Sequence, residues 1–505
     1  MIFQLLPSIL IGGLIWFSIT PTDELTTTSI HLLALYICPD MSTSVDISVL
    51  VLTALTLLAV TQSFQCVDQL TNKSVECRLC GQENLDTGSI YECNANKDSF
   101  HKALEGFSSS VVWLIFSAFH LGKAVQVTQL GKRISLIMIQ YFGKRTIGLA
   151  YAVVISELLL APFVPSNTAR GGGIVLPVVN SIATTLGSTP TNNPKLGAFL
   201  TLVGSHANLL SASMYLTGMA PNPIVLAKAN QLFPDIHFGF STWITGSIVP
   251  ALFCALGLPL FLAWSCNIHK DTVHDSEQGE GVKSDMVEYA KKELNYMGSM
   301  SLKEKQLCLV LFTCLTLWIT SSYTNMDATL VALIGIVSLL HMGTLGWKDV
   351  AGNTNAWENL FWLGGFVTIA TQLSEAGASA FLGHKISSGI QRMNLPAVPA
   401  LGIAYFLTTF MFSSLSAHTV AFVGTFLDAG HALGANPMIL TCLLAYFGAL
   451  GGSMTNFSTG STAMYFAAGY VPRVRWFIVG GQVALIFLTV YFTIGMTWWK
   501  FLGWT

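Results

Sequence analysis

The fold this sequence predicts is an all-α polytopic membrane protein with about eleven spans and two re-entrant helical hairpins. Composition is the first ground: of 505 residues, 52% are hydrophobic and 10% charged, with a mean hydropathy of +0.59. A soluble domain carries roughly 25% charged residues, and so few charges cannot cover a water-facing surface of this size. The second ground is a series of apolar runs of membrane-crossing length. The third is a polar motif recurring in two stretches that proline and glycine break. Lys and Arg number 24 against 26 Asp and Glu, a balance of −2 with no basic stripe, which excludes a nucleic-acid binder. The 44 glycines and 17 prolines suit membrane helices that pack closely and break at defined points.

Taken in order, the candidate spans are the runs near 4–20, 47–62, 110–128, 196–220, 239–265, 306–322, 328–345, 357–380, 396–412, 438–466 and 476–499. A span needs about 20 mostly apolar residues, so the shorter runs extend into their flanks. His31–Cys38 is too short to cross. The run 4–20 has no basic leader and no small-residue cleavage site, so it reads as a helix and not a signal peptide. The organisation expected is N-terminal scaffold spans over 1–62, a loop at 63–109, a first repeat over 110–265, a loop at 266–305 and a second repeat over 306–505. The first repeat holds a hairpin at 147–187 and the second a hairpin at 397–432.

Charge sets the sidedness. Lys123, Lys132, Arg133, Lys144 and Arg145 form an acid-free basic stretch, and Lys270, Lys283, Lys291, Lys292, Lys303 and Lys305 fall in the loop 266–305. Two spans separate the groups, so both lie on one side, which the positive-inside rule makes cytoplasmic. Lys348, Arg473 and Arg475 join them if 412–437 is a hairpin and not a span. The acids of 271–293 lack the ligand spacing and central glycine of a calcium loop and read as a solvated loop. The loop 63–109 is then extracytoplasmic. It holds Cys66, Cys77, Cys80 and Cys93 of the ten cysteines, and an N-x-S sequon at Asn72. Two disulfides in an oxidising compartment fit this clustering; free thiols are an alternative, and a metal site lacks its second CxxC pair. The other cysteines lie in or beside apolar runs as packing residues.

An internal repeat carries the polar groups. Ser166-Asn167-Thr168-Ala169-Arg170 aligns with Ser414-Leu415-Ser416-Ala417-His418 at an offset of 248. Leu186-Gly-Ser-Thr-Pro190 is echoed one residue out of register by Leu433-Gly-Ala-Asn-Pro437, and Asn208-Leu-Leu-Ser-Ala-Ser matches Asn456-Phe-Ser-Thr-Gly-Ser. Pro162 and Pro165 before Ser166–Thr168, and Gly171, Gly172 and Gly173 after them, break a helix whose second half the Ser, Asn or Thr caps. Such backbone at membrane depth lines a cavity or is buried in protein. The resulting half-helix N-termini suit a carboxylate. Asn208 and Asn456 are expected in breaks of later helices that complete two pseudo-symmetric sites, with Thr459 beside Asn456.

Arg170 and His418 are the sharpest residues, because an arginine at membrane depth costs at least about 2.5–3.5 kcal/mol and does not deprotonate. Two cationic groups at two tips imply an anionic substrate, a dicarboxylate matching one carboxylate to each tip. Glu157 and Asp428 are candidate counter-ions within the two hairpins. His341 reads as interfacial, and Trp498-Trp499-Lys500 as an interface belt.

The string Pro165-Ser-Asn-Thr-Ala-Arg-Gly-Gly-Gly-Ile-Val-Leu-Pro177 resembles the divalent anion/sodium symporter family. The branch it most resembles is that of bacterial citrate/succinate exchangers and plastid 2-oxoglutarate/malate translocators. Gly143-Lys-Arg-Thr-Ile-Gly-Leu-Ala-Tyr151, Met219-Ala-Pro-Asn-Pro223, and Gly469-Tyr-Val-Pro472 with Trp476 extend the likeness over about 105–505. The resemblance implies an inverted-repeat elevator-type transporter, usually a homodimer, with Ser166, Asn167 and Thr168 in one hairpin motif and Ser414, Ser416, Ala417 and His418 in the other. It also implies Ser-Asn-Thr in both hairpins of sodium-coupled members, whereas here Leu415 replaces the second asparagine. Arg170 and His418 stand where neutral residues are expected. A fixed cation about 4 Å from sodium repels it by about 4 kcal/mol at an effective dielectric near 20. The expectation is therefore that both cations replace sodium and neutralise the anion, so that only the loaded carrier crosses. The family places three spans before its first interfacial helix, for which 21–46 is short, and the cysteine loop is an insertion.

The function so implied is exchange of di- or tricarboxylates (malate, 2-oxoglutarate, succinate, citrate), with the bilayer and a second copy as partners. The substrate-binding set is Ser166, Asn167, Thr168, Arg170, Asn208, Ser414, Ser416, His418, Asn456 and Thr459. The alternatives are a sodium-coupled symporter, with sodium near Asn167 and Asn456, and a non-transporting structural subunit of a membrane complex. No CxxCH motif or glycine-rich nucleotide loop is present, so no cofactor is expected. Plasma membrane and organelle inner membrane are both compatible with the chain.

Overall fold

The computed structural model describes residues 47–84, 88–236, 238–268, 279–324 and 326–504. The run 4–20, the stretch His31–Cys38 and the loop segment 269–278 lie outside the described residues. The chain divides into two compact units. One takes the described residues up to Phe116 with Thr354–Ala397 and Thr419–Ala435; the other takes Ser117–Asn353, Val398–His418 and the chain from Asn436 onward.

In the first unit the uncharged helix Ile47–Val60 leads into a small disulfide-ribbed region. Strands Gln65–Val67 and Ser74–Glu76 pair antiparallel, with Cys66 opposite Val75. Cys66 bonds to Cys77 and Cys80 to Cys93. These strands depart from the all-α expectation. Three residues each is too little for an isolated pair in water, and the Cys66–Cys77 bond ties the pair together. The helix Ala95–Leu104 follows, its N-terminus capped by Asn94, whose side chain accepts from the Lys97 N–H. The region is fastened to the helix Thr354–Glu375: the Gln65 N–H donates to Gln372 Oε1 at 2.9 Å and the Gly106 N–H to Thr368 Oγ1 at 2.9 Å.

Four helices among the described residues are long and apolar enough to cross a bilayer: Ser110–Val127, Phe240–Ser265, Pro437–Met454 and Arg473–Phe501. Shorter apolar helices accompany them, among them Thr146–Leu160, Ala328–His341 and Ala397–Met411. The protein is an integral membrane protein.

The second unit corrects one expectation. The loop at 266–305 contains a helix, Gly279–Met297, rather than solvated coil alone. Its Met286 and Ala290, one turn apart, are 1% and 0% exposed, a buried stripe that its many charges conceal in the sequence. It lies against the helix Leu130–Phe142, where Lys132 pairs with Glu293 at 2.9 Å. Arg133 pairs with Glu304 at 2.5 Å and donates to the Gly298 carbonyl at 2.9 Å. Glu304 also closes a capping box with Ser301 that starts the helix Leu302–Ile319.

Candidate functional site

Both predicted stretches are broken helices. Thr146–Leu160 stops before Pro162, the chain turns through Ser166, and Thr168–Val175 and Leu176–Thr185 follow. Ala397–Thr408 tightens through Thr409–Met411, and Leu415–Ala432 follows. The two tips use the same cap. Ser166 Oγ accepts from the Ala169 N–H at 3.1 Å, and Ser414 Oγ accepts from the Ala417 N–H at 3.3 Å. One residue on, the Arg170 N–H donates to the Ser166 carbonyl at 2.9 Å and the His418 N–H to the Ser414 carbonyl at 3.0 Å. The register of 248 residues read from the sequence is thus repeated bond for bond.

The tips meet other elements of the second unit. Asn208 Nδ2 donates to the Asn167 carbonyl at 3.0 Å, and Asn167 Nδ2 donates to Thr459 Oγ1 at 2.9 Å. The Leu415 N–H donates to the Ser458 carbonyl at 2.9 Å. Gly171 permits the first of these approaches, since a Cβ there would lie 2.7 Å from Asn208 Nδ2. The structure therefore brings Ser166, Asn167, Thr168, Asn208 and Thr459 together. Thr168, Ser416 and Asn456 are half-buried, and their side chains make no hydrogen bond among the described residues. With Ser166 and Ser414, also half-buried, they leave polar groups available at the tips. Leu415 is 2% exposed and packs with Leu209, Ala212, Met219 and Ala449, so the position aligned with Asn167 is apolar in its surroundings as well.

Three expectations are corrected. First, Asn208 lies in no break: the helix Lys195–Met214 runs through it, and the chain departs from it only at Tyr215. Ser211 and Ser213 are accommodated because their hydroxyls bond back to the Asn208 and Leu210 carbonyls. Asn456 does fall in a break, between Gly451–Met454 and Gly460–Ala467.

Second, Arg170 is not free at the tip but committed within the protein. It is 0% exposed, and Nε donates to Glu157 Oε2 at 2.8 Å. Nη1 donates to the carbonyls of Val164 at 2.7 Å and Gly218 at 3.0 Å. Nη2 donates to the Asn208 carbonyl at 3.2 Å and Ser211 Oγ at 3.0 Å. A guanidinium has five N–H groups, and all are committed, with the charge cancelled by Glu157. Glu157 Oε2 in turn accepts from Asn208 Nδ2 at 3.0 Å and Ser211 Oγ at 3.3 Å.

Third, His418 is 0% exposed, its Nε2 2.9 Å from Thr408 Oγ1 and its ring 4.5 Å from Tyr405 and 5.2 Å from Phe412 between centroids. It packs inside its own hairpin. Asp428 is no partner for it either, being ten residues along the same helix, about 15 Å at 1.5 Å per residue.

Ser211 and Ser458 are further polar residues bound to the tips, Ser211 through Arg170 and Ser458 through the Leu415 N–H, that residue-type reasoning passed over. Ser211 was findable, since the offset of 248 aligns it with Thr459. Among the described residues no group of three His, Cys, Asp or Glu side chains could hold a metal ion.

Two matched helix starts, rimmed by hydroxyls and amides, lie inside an apolar helical protein, and the family and relatives it matches are membrane transporters and not enzymes. The chain belongs to the family described as the sodium:sulfate symporter transmembrane region, which matches residues 2–505. It is 32% identical over 412 residues to dicarboxylate transporter 1, chloroplastic, of Arabidopsis thaliana, covering 80% of this chain and 72% of that one. It is 30% identical over 401 residues to the L-tartrate/succinate antiporter of Escherichia coli, covering 78% of this chain and 80% of the relative. In fold it is similar to MtrF of Neisseria gonorrhoeae, with a TM-score of 0.54 and 13% identity over 90% of this chain and 95% of that one.

Proposed function

We propose that the protein exchanges dicarboxylates of the malate and succinate type across its membrane, with tricarboxylates such as citrate as related cargo. The observation that carries this reading is the pair of identically capped helix starts, Ser166 to Ala169 and Ser414 to Ala417, within one unit. Each helix start offers an oxyanion about half a positive charge. Thr168, Ser416 and Asn456 add uncommitted hydrogen-bonding groups beside them. Relatives named as a dicarboxylate transporter and a tartrate/succinate antiporter agree with that chemistry.

Charge favours exchange over one-way movement. With Arg170 paired to Glu157 and His418 inside its hairpin, the tips hold no uncompensated fixed cation, so a dianion crosses with its charge largely intact. Each charge moved against the membrane potential costs about 2.3 kcal/mol per 100 mV. A second dianion returning on the same carrier cancels that term. The carrier in this proposal is a homodimer in which both hairpins are re-entrant and travel with the substrate as an elevator, among about eleven spans. Arg170 and Glu157 hold the first hairpin together and do not contact the cargo.

Sodium-coupled symport is the second reading, favoured by one observation: Asn208 Oδ1, beside the first tip, is buried with no hydrogen-bond partner among the described residues. Uptake of labelled succinate into liposomes preloaded with malate, with and without sodium, decides between them. Exchange requires uptake that needs the internal dicarboxylate and ignores sodium. Sodium-driven uptake into empty liposomes would establish symport, and no uptake of any of these anions would refute both.

A further inference from the structure

The disulfide-ribbed region carries a feature that transport does not use. Asn72-Lys73-Ser74 is an N-x-S sequon without proline at its centre. Asn72 sits in the turn between the strands Gln65–Val67 and Ser74–Glu76, with φ 53, and its backbone N–H donates to the Asp68 carbonyl at 2.8 Å. Residues 71–74 are all exposed, and the Asn72 carboxamide makes no hydrogen bond among the described residues. A large group on its nitrogen would meet solvent and displace nothing.

The same region states its compartment chemically. Cys66–Cys77 spans the turn and Cys80–Cys93 follows it in the chain, and such bonds form and persist in oxidising surroundings. The basic residues Lys123, Lys132, Arg133, Lys144 and Arg145, by the positive-inside rule, face the opposite side. The oxidising side of a secretory-route membrane is also the side on which lipid-linked oligosaccharides are presented.

The chain holds a second match, Asn456-Phe457-Ser458, which shows what an unusable sequon looks like. Ser458 is 0% exposed and its hydroxyl is engaged by Thr455 and the Gly452 carbonyl, while Asn456 is half-buried in a helix break.

From exposure, turn geometry and compartment we infer that Asn72 is an N-glycosylation site. In the transfer, the Asn72 carboxamide nitrogen forms a bond to the anomeric carbon of an oligosaccharide carried on a polyprenyl diphosphate. The bond from that carbon to the diphosphate oxygen breaks, the lipid diphosphate leaves with the electron pair, and the amide proton passes to a base of the transferase. No oxidation occurs. The glycan would stand beside Leu70, a 58% exposed apolar side chain in the same turn, and shield it.

The inference is independent of the transported anion and is tested without a transport assay. The full chain is produced in a eukaryotic host, and its membranes are treated with peptide-N-glycosidase before electrophoresis. Wild type is expected to shift by one glycan. Asn72→Gln and Ser74→Ala are expected to lose the shift, whereas Ser74→Thr, which keeps a sequon, retains it. Asn72→Gln is the control against misfolding, since it alters an exposed carboxamide that makes no hydrogen bond among the described residues, and Ser74→Thr keeps the hydroxyl that donates to Gln65 Oε1. An unshifted wild type would overturn the inference, and so would a shift that survives Asn72→Gln.

Discussion

Replacing Arg170 by alanine tests whether this residue clamps the protein or binds the cargo. The substitution leaves Glu157, itself 0% exposed, without its ion-pair partner, and withdraws donors from the carbonyls of Val164, Gly218 and Asn208. Breaking a buried pair from one side costs about 3–5 kcal/mol, a large part of a total stability of roughly 5–15 kcal/mol. Removing both charges with Arg170→Met and Glu157→Leu relieves the stranded carboxylate but leaves three buried carbonyls short of a donor, at about 1–3 kcal/mol for a wholly unsatisfied group. The double variant should therefore melt above Arg170→Ala and below wild type. The departure from additivity should exceed the roughly 0.3–0.5 kcal/mol seen for independent sites. Arg170→Lys rescues little, because an ammonium has three donors and no planar fork. The assay is thermal unfolding of purified protein in detergent, paired with KM for succinate exchange on the fraction that stays folded. A clamp lowers the melting temperature and leaves that KM unchanged. An Arg170→Ala protein that melts as wild type but shows a raised KM would refute the reasoning and return the residue to the substrate.

Three further outcomes follow from the same geometry. Thr459→Val removes the acceptor of Asn167 Nδ2; leaving that buried donor unsatisfied costs about 1–3 kcal/mol, a loss that thermal unfolding of the purified protein should report. Leu415→Asn places an amide among Leu209, Ala212, Met219 and Ala449, and melting should report a loss of roughly 1–3 kcal/mol. Unchanged melting would show that the amide finds a partner there. In the ribbed loop, the hydroxyl of Thr71, aided by backbone N–H groups, outweighs burial and holds the Asp68 carboxylate below its usual range. A lowered folded pKa gives stability that is present above the unfolded value and lost as pH falls through the folded one. Protease resistance of residues 65–108 should therefore weaken only below about pH 4, and Thr71→Val should shrink that pH-dependent part.

How much of this was legible in the sequence varies by element. Both broken helices were, because Pro162, Pro165 and the glycines after Arg170 punctuate an apolar run and serine caps are local chemistry. The link between Asn208 and the first tip was half legible: the offset of 248 marked the residue, but the helix Lys195–Met214 does not break there. The strands at Gln65–Val67 and Ser74–Glu76 are shorter than the roughly four to eight residues over which alternation is read, so it could not reveal them. The helix Gly279–Met297 left a readable sign in Met286 and Ala290, one turn apart, beneath its charges. Arg170 was misread for a deeper reason. A sequence shows a cation at membrane depth but not the carbonyls of Val164 and Gly218 that turn towards it only once the chain has folded.

That misreading changes the argument for exchange. Had Arg170 and His418 stood unpaired at the tips, an empty carrier would have had to move bare cations through the bilayer. Instead Glu157 neutralises one, and Thr408, Tyr405 and Phe412 enclose the other. On the exchange reading, the obstacle to an empty return must then lie in hydrogen bonding. Without cargo, Thr168, Ser416 and Asn456 would enter the barrier with polar groups that neither protein nor water satisfies, at about 1–3 kcal/mol for each. Several such groups together suffice to slow the empty step, and a dianion with carboxylates at both ends can engage them at once. The barrier so built depends on hydroxyl and amide count and not on formal charge. Trimming it one group at a time, through Thr168→Val, Ser416→Ala and Asn456→Leu, should therefore let succinate leak out of loaded liposomes without a counter-substrate. If efflux stays strictly dependent on external dicarboxylate in all three variants, hydrogen bonding at the tips is not what enforces exchange.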